Sequence, residues 1–260
     1  MGENKRKIAV ITGASSGLGR QFARQIRREK IDELWIIARR EDRLKELAEE
    51  IPMPVRTLPL DLTKQERLDD LAELLKHEAP DVRILINAAG YGKIGNYKEV
   101  SVQDSLNMID LNCRAAVAVT EACIPYMAKG ARILEICSTA AFQPLPSLNV
   151  YAASKAFLLR YSRALRWELF GRGILVTAVC PYWVRDTEFI PTAKDTKNGR
   201  AVRHFPFAST SQRVVRRALR DSRLGMAVST PGPICLLHRV TAKFIPHCIM
   251  IAGWEGLRRL

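Results

Sequence analysis

The chain has 260 residues, 47% hydrophobic and 26% charged, a balance that excludes a disordered polymer and gives room for one large α/β domain. Its 41 Lys and Arg against 27 Asp and Glu give a formal charge of +14, which reads either as a solvated basic face or as a surface for anions such as a phosphorylated cofactor, a CoA-like thioester, acidic headgroups or nucleic acid. No stretch reaches the ~18 apolar residues needed to span a bilayer, and six cysteines without C-x-x-C or metal-ligand spacing argue for buried free thiols in a reducing cytoplasm, with no metal expected.

Along the chain, apolar β-rich runs alternate with amphipathic helical patterns. Residues 7–12 predict a first strand, followed by a glycine-rich turn and a helix to about residue 30. Further strands are predicted at 34–38, 55–60, 83–87, 132–137 and 174–180, with helices at 42–50, 64–77, 102–127 and 149–170. Such alternation implies a doubly wound parallel sheet with helices on both faces. After Cys180 the pattern loosens. Residues 181–207 read as loop, 211–223 as a helix capped by Ser209, Thr210 or Ser211, and 226–230 as a last strand, bringing the sheet to about seven strands. Pro246 splits the stretch 234–260 in two. No linker or repeat appears, so residues 1–260 are expected to form one domain, with a substrate-loop region at 185–225 and a basic amphipathic extension at 231–260.

The first strand runs directly into T-G-A-S-S-G-L-G, Thr12 to Gly19. Glycines at 13, 17 and 19 let the backbone turn sharply and approach a pyrophosphate, and the following helix offers free N–H groups and a positive dipole end. The end of the second strand selects among dinucleotides. Ala38 closes it and Arg39-Arg40 follow, so two guanidiniums suit a ribose 2′-phosphate and no carboxylate stands there to repel it. This favours NADP(H). The alternative leaves Arg39 and Arg40 as surface charges paired with Glu41 and Asp42.

Tyr151 and Lys155 stand one helical turn apart in Y-A-A-S-K, so the ammonium shares a face with the phenol. A tyrosine in water loses its proton only near a pH of about 10, and a nearby cation pulls that value toward working pH. Ser138, from a separate strand, would hold a carbonyl or alcohol oxygen beside the phenol. The trio reads as a proton-transfer site for interconverting a ketone and an alcohol.

Taken in order, these features resemble the short-chain dehydrogenase/reductase family, from residue 7 to about residue 184. T-G-A-S-S-G-L-G is similar to its cofactor turn, Asp61 in L-D-L-T to its adenine contact, Asn87-Ala88-Ala89-Gly90 to its N-x-A-G element, and Asn112, Ser138, Tyr151 and Lys155 to its catalytic set. The resemblance implies a Rossmann-type sheet that binds NADP(H). It implies cofactor contacts at Gly13, Ser15, Ser16, Gly17, Leu18, Gly19, Arg39, Arg40, Asp61, Leu62, Asn87, Ala88, Ala89, Gly90, Tyr151, Lys155, Pro181, Val184 and Thr187. Tyr151 would exchange the proton, Lys155 would lower its pKa and hold the nicotinamide ribose, Ser138 would orient the substrate oxygen, and Asn112 would support a water relay. The chain departs from the family's P-G-x-V-x-T at Tyr182, with the threonine shifted by one to Thr187.

Specificity in such a fold lies in loops at the strand C-termini, here 91–97, 140–148 and 181–207. Their apolar content, with Trp183, Phe189, Ile190, Phe205 and Phe207, favours a lipophilic ketone or alcohol, steroid-like or acyl-chain. The tail is similar to the hydroxysteroid and long-chain ketoacyl reductase branch. Three roles are open to it: Leu236, Leu237, Val240, Phe244, Ile245, Ile249, Met250 and Trp254 could enter a membrane interface with Arg239, Lys243, Arg258 and Arg259 at headgroups, close the pocket, or pack on a second subunit. A homodimer or homotetramer is expected. Charge alone, with no recognition motif, gives no expectation of nucleic-acid binding. The alternative to an enzyme is a non-catalytic NADP(H)-binding redox sensor or a membrane- or partner-binding module.

Overall fold

In the computed structural model, which describes residues 5–197, 201, 202, 204, 205 and 207–258, the strands are β1 (Lys7–Thr12), β2 (Glu33–Ala38), β3 (Val55–Pro59), β4 (Asp81–Asn87), β5 (Arg132–Ile136), β6 (Leu175–Val179) and β7 (Val228–Ser229). They form one parallel sheet in the order β3-β2-β1-β4-β5-β6-β7. The strand order reverses between β1 and β4, and the helices that follow the two strands pass to opposite faces of the sheet, which places a crevice at the strand C-termini.

The alternation along each strand explains the two layers. Ile8 and Val10 of β1, Trp35 and Ile37 of β2 and Ile133 of β5 face α3 (Gln65–Glu78), α5 (Ala115–Cys123) and α6 (Asn149–Glu168). Ala9 and Ile11, Leu34 and Ile36, and Leu134 face α1 (Gly17–Gln25), α2 (Glu41–Glu50) and α8 (Ser211–Arg223). Both faces are therefore apolar, which is why these strands read as continuous hydrophobic runs.

The helix predicted over 102–127 is interrupted. α4 (Val102–Ile109) and α5 are joined by a π-helical turn at Asp110–Arg114, and a 3₁₀ turn at Ile124–Tyr126 ends the segment. The region predicted as loop after Cys180 contains a short helix, α7 (Phe189–Lys194). The cap of α8 also differs from expectation. Thr210 makes no side-chain cap bond; instead Asp186 accepts from the Ser211 N–H at 2.7 Å and the Ser211 hydroxyl at 2.9 Å, since a carboxylate suits the positive helix end. The tail folds into α9 (Pro233–Phe244) and α10 (His247–Leu257), broken at Pro246. Among the described residues no helix is long and apolar enough to cross a membrane. The six cysteines are unpaired, five buried and Cys248 exposed.

One polar junction interrupts the apolar interior. Glu135 on β5 is fully buried, and its Oε1 accepts from Asn87 Nδ2 and Thr120 Oγ1, both at 2.9 Å. The contacts tie β4, β5 and α5 together. Burial lifts the Glu135 carboxyl to about 7 against the pull of those two hydrogen bonds. A raised folded pKa favours the protonated form, so its stability contribution is complete below 4.5 and is lost as pH rises through about 7. Glu135→Gln keeps an acceptor for Asn87 and Thr120 without the charge. Thermal unfolding of both proteins across that pH window should show the wild type losing ground to the variant by on the order of 3 kcal/mol. Superimposable pH profiles would contradict the buried, neutral carboxyl.

Candidate active site

The site is assembled at the C-terminal ends of β1, β4, β5 and β6 around a cavity of about 1430 Å³. Its floor is the glycine turn. Gly13 takes a φ of +67°, and a Cβ there would come within 2.7 Å of the Ala89 backbone, so only glycine lets the turn lie against the strand β4 exit. Thr12 Oγ1 accepts from the Ala89 N–H at 3.1 Å and locks the two loops together.

Most sequence-predicted site residues meet here. Gly13, Ser15, Ser16, Gly17 and Leu18 line the cavity with Arg39, Arg40, Asp61, Leu62, Ala88, Ala89 and Gly90. Ser138, Tyr151, Lys155, Pro181, Val184 and Thr187 line it from the other side. Thr187 hangs over the turn, its Cβ 3.6 Å from where a Cβ on Gly17 would be. Asp61 spends one carboxylate oxygen on the Thr63 N–H and hydroxyl, which fixes the bend after β3.

Three residues do not reach the cavity. Gly19 lies behind the turn, where a Cβ would stand 2.3 Å from the Gly13 carbonyl oxygen, so its role is the tightness of the bend. Asn87, expected as a cofactor contact, turns its side-chain amide into the interior, where it donates to Thr120 Oγ1, the Glu135 carboxyl and the Ala116 carbonyl. Asn112, carried by the π turn, is fully buried. Its Oδ1 accepts from the Tyr91 N–H at 3.0 Å, and its Nδ2 donates to the Tyr91 carbonyl and Ser154 Oγ. It nonetheless converges with Lys155: a Cβ on Gly90 would be 2.7 Å from Asn112 Oδ1 and 3.2 Å from Lys155 Nζ.

The electrostatics differ from expectation at the centre. Tyr151 is buried, its ring 5.3 Å from that of Phe189. Burial pushes its phenol up to about 12; the Ser138 hydroxyl pulls it down, and the Cys137 and Cys180 thiols beneath add to the rise. Lys155 is 5% exposed, donates from Nζ to the Ile136 carbonyl at 2.8 Å, and stands 5.9 Å from the Tyr151 ring centre. Burial lowers its own pKa. The downward pull expected from Lys155 does not set the phenol: its burial outweighs the Ser138 hydroxyl, and the Lys155 ammonium is engaged by the Ile136 carbonyl. The group so placed is a neutral phenol, a proton donor.

The expectation of no carboxylate beside Arg39-Arg40 is also corrected. The fold brings Glu188, at the foot of α7, to Arg40 at 3.0 Å, and to Arg43. Arg40 further donates to Ser15 Oγ at 3.1 Å, and Glu41 pairs instead with Lys45. Arg43 and Glu188 escaped sequence reasoning because no local pattern joins positions 145 residues apart.

The outer cavity is mostly apolar. Leu145, Leu148, Trp183, Phe189 and Val202 line it, as do Leu237, Ile245, Ile249, Met250 and Trp254 of the tail. The tail therefore closes over the cavity. Trp254 Nε1 donates to the Pro146 carbonyl at 2.9 Å, and His238 Nε2 meets Gln143 Oε1 at 2.9 Å. The latter pair, unforeseen in the sequence, is a polar spot in an apolar wall. Of the aromatics expected there, Phe205 backs the wall by packing on Trp183 at 4.6 Å, whereas Ile190 lies outside it and Phe207 is 82% exposed. Arg259 lies outside the described residues.

A model of the short chain dehydrogenase family matches residues 7–198. Among curated relatives, sulfoacetaldehyde reductase 2 of Chromohalobacter salexigens is 37% identical over 191 residues, 70% of this chain and 74% of the relative. An NADP-dependent 3-hydroxy acid dehydrogenase of Salmonella typhi is 34% identical over 185 residues, with the same coverage of 70% and 74%. Among solved structures, a short-chain dehydrogenase from Sphingobium yanoikuyae in complex with NADPH aligns with a TM-score of 0.77 at 28% identity, over 96% of this chain and 94% of that one.

A difference titration of wild type against Tyr151→Phe checks the electrostatics. No tyrosinate attributable to Tyr151 should form below the ordinary value of 10. A step near neutral pH would restore the dominance of Lys155.

Proposed function

Because the chain belongs to the short chain dehydrogenase family, we propose that it is an NADP(H)-dependent oxidoreductase interconverting a lipophilic ketone and its secondary alcohol. The observation that carries this reading is the convergence of the Ser138 hydroxyl, the Tyr151 phenol and the buried Lys155 beside the glycine turn, at the inner end of an apolar cavity.

The residues present fit the cofactor. The Gly13 turn leaves space that a Cβ would close, and Arg40 and Arg43 already gather around one anionic group, the Glu188 carboxylate, with Arg40 also donating to Ser15 Oγ. A 2′-phosphate has the charge and oxygen array to take that place. The NADPH complex of the Sphingobium protein and the NADP dependence of the Salmonella relative support the same choice. When bound, the nicotinamide exchanges a hydride with the substrate carbon. Tyr151, held neutral by burial, gives its proton to the carbonyl oxygen, and Ser138 holds that oxygen beside the phenol. Lys155, anchored on the Ile136 carbonyl, fixes the positive charge beneath the phenol. Phe189 and the tail exclude water from the reacting groups.

The family model ends at residue 198, before the tail that forms the outer wall. That wall supports a bulky apolar substrate, steroid-like or acyl-chain, as in the hydroxysteroid and ketoacyl reductase branch, rather than the small polar compounds for which the two relatives are named. Exposed Val102, Leu106 and Ile109 on α4, with Trp167 in the last turn of α6 and Phe170 just past it, support assembly as a homodimer or homotetramer.

Tyr151→Phe should bind NADPH as the wild type does and reduce lipophilic ketones roughly 10²–10⁴-fold more slowly; undiminished turnover would exclude Tyr151 as the acid. In fluorescence titrations the wild type should prefer NADPH to NADH. Arg40→Ala should weaken NADPH binding roughly 10- to 100-fold, and Glu188→Gln, which frees Arg40, should strengthen it. Equal affinity of the wild type for both cofactors would overturn the assignment.

A further inference from the structure

The α9–α10 hairpin has two faces. Its inner face closes the cavity, with Cys235 2% exposed beneath it and Trp254 and His238 tied to the wall opposite. Its outer face is apolar without cover: Leu236 is 52% exposed, Val240 46% and Phe244 74%. These three lie at four-residue intervals and so form one stripe along α9. Leu237, Ile249 and Leu257 are exposed as well, and each also lines the cavity. The apolar surface therefore runs from solvent over the rim into the cavity without a polar break at these positions.

The charges beside the α9 stripe have one sign, and the acid of α10, Glu255, is paired with Arg258. Residues 233–254 contain no Asp or Glu. Arg239 and Lys243 precede Val240 and Phe244 by one residue each, about 100° round the helix, so a basic stripe flanks the apolar one. Among the described residues neither has a carboxylate partner, and Lys243 Nζ lies 5.9 Å from the Phe244 ring centre. A second copy of the chain is a poor occupant of this face, because a two-fold interface sets the same patch against itself and would bring Arg239 and Lys243 toward their own copies. An anionic lipid surface matches both stripes at once, with acyl chains for the apolar side chains and headgroup phosphates for the cations.

We infer that the α9–α10 hairpin is a peripheral membrane-docking surface for anionic lipid bilayers, seated so that the cavity rim at Leu237, Ile249 and Leu257 opens against the bilayer. Lipophilic molecules would then pass between the bilayer and the cavity without crossing water. The docking surface stands on the hairpin alone; only this delivery route rests on the proposed oxidoreductase reading.

Co-sedimentation of the full chain with vesicles tests it, read as the fraction of protein bound. Vesicles of phosphatidylcholine with phosphatidylglycerol should carry the protein down, phosphatidylcholine alone should do so far less, and high salt should weaken the binding by screening. Val240→Glu with Phe244→Glu changes two exposed positions outside the cavity wall. It should cut binding to the anionic vesicles by at least roughly tenfold while NADPH binding is unchanged. Three results would overturn the inference: no vesicle binding, equal binding of the double variant, or an oligomer that the double substitution dissociates without any vesicle binding. Sedimentation needs no turnover, so its failure would leave the oxidoreductase reading untouched, and a failed ketone screen would leave this one untouched.

Discussion

The site depends on a lysine taken out of water. An ammonium buried as deeply as that of Lys155 is costly unless other groups replace its hydration. The fold supplies replacements from two directions. The Ile136 carbonyl at the end of β5 accepts from Nζ, and the Gly90 loop comes close enough to bring Asn112 Oδ1 near. Each replacement imposes a demand on the chain. Gly90 must lack a side chain, Asn112 must be turned inward, and β5 must end where its last carbonyl faces α6.

The π-helical turn at Asp110–Arg114 meets the second of these demands. An extra residue in one helical turn changes which side chain faces the sheet, and here it buries Asn112 between the Tyr91 backbone and Ser154. The same desolvation that strains Lys155 also lifts the Tyr151 phenol. The phenol therefore keeps its proton at neutral pH, which is the state the proposed proton donor needs.

The architecture was legible because each central strand is buried on both faces, so 7–12 and 34–38 read as unbroken apolar runs between amphipathic helices. The glycine turn and the Tyr151–Lys155 spacing were legible because both are local. What escaped was carried by geometry across the sequence. Hydrophobic periodicity does not register one inserted π turn, so 102–127 read as a single helix. Asn87 sits in a recognisable motif, yet the direction of its side chain is set by Glu135 and Thr120 on other elements. Glu188 against Arg40, and His238 against Gln143, join residues 148 and 95 positions apart. The balance at Tyr151 escaped for a different reason: spacing tells which charge is near, whereas burial decides how much that charge is worth.

The most direct test of the account follows the hydride itself. The protein is incubated with NADPH deuterated at the transferable position of the nicotinamide and a panel of bulky apolar ketones, and the products are read by mass spectrometry. The account predicts one deuterium on the carbinol carbon of at least one ketone with the wild type, and its loss with Tyr151→Phe. Tight NADPH binding with no label on any carbonyl compound would contradict it and leave a cofactor-binding protein without this chemistry.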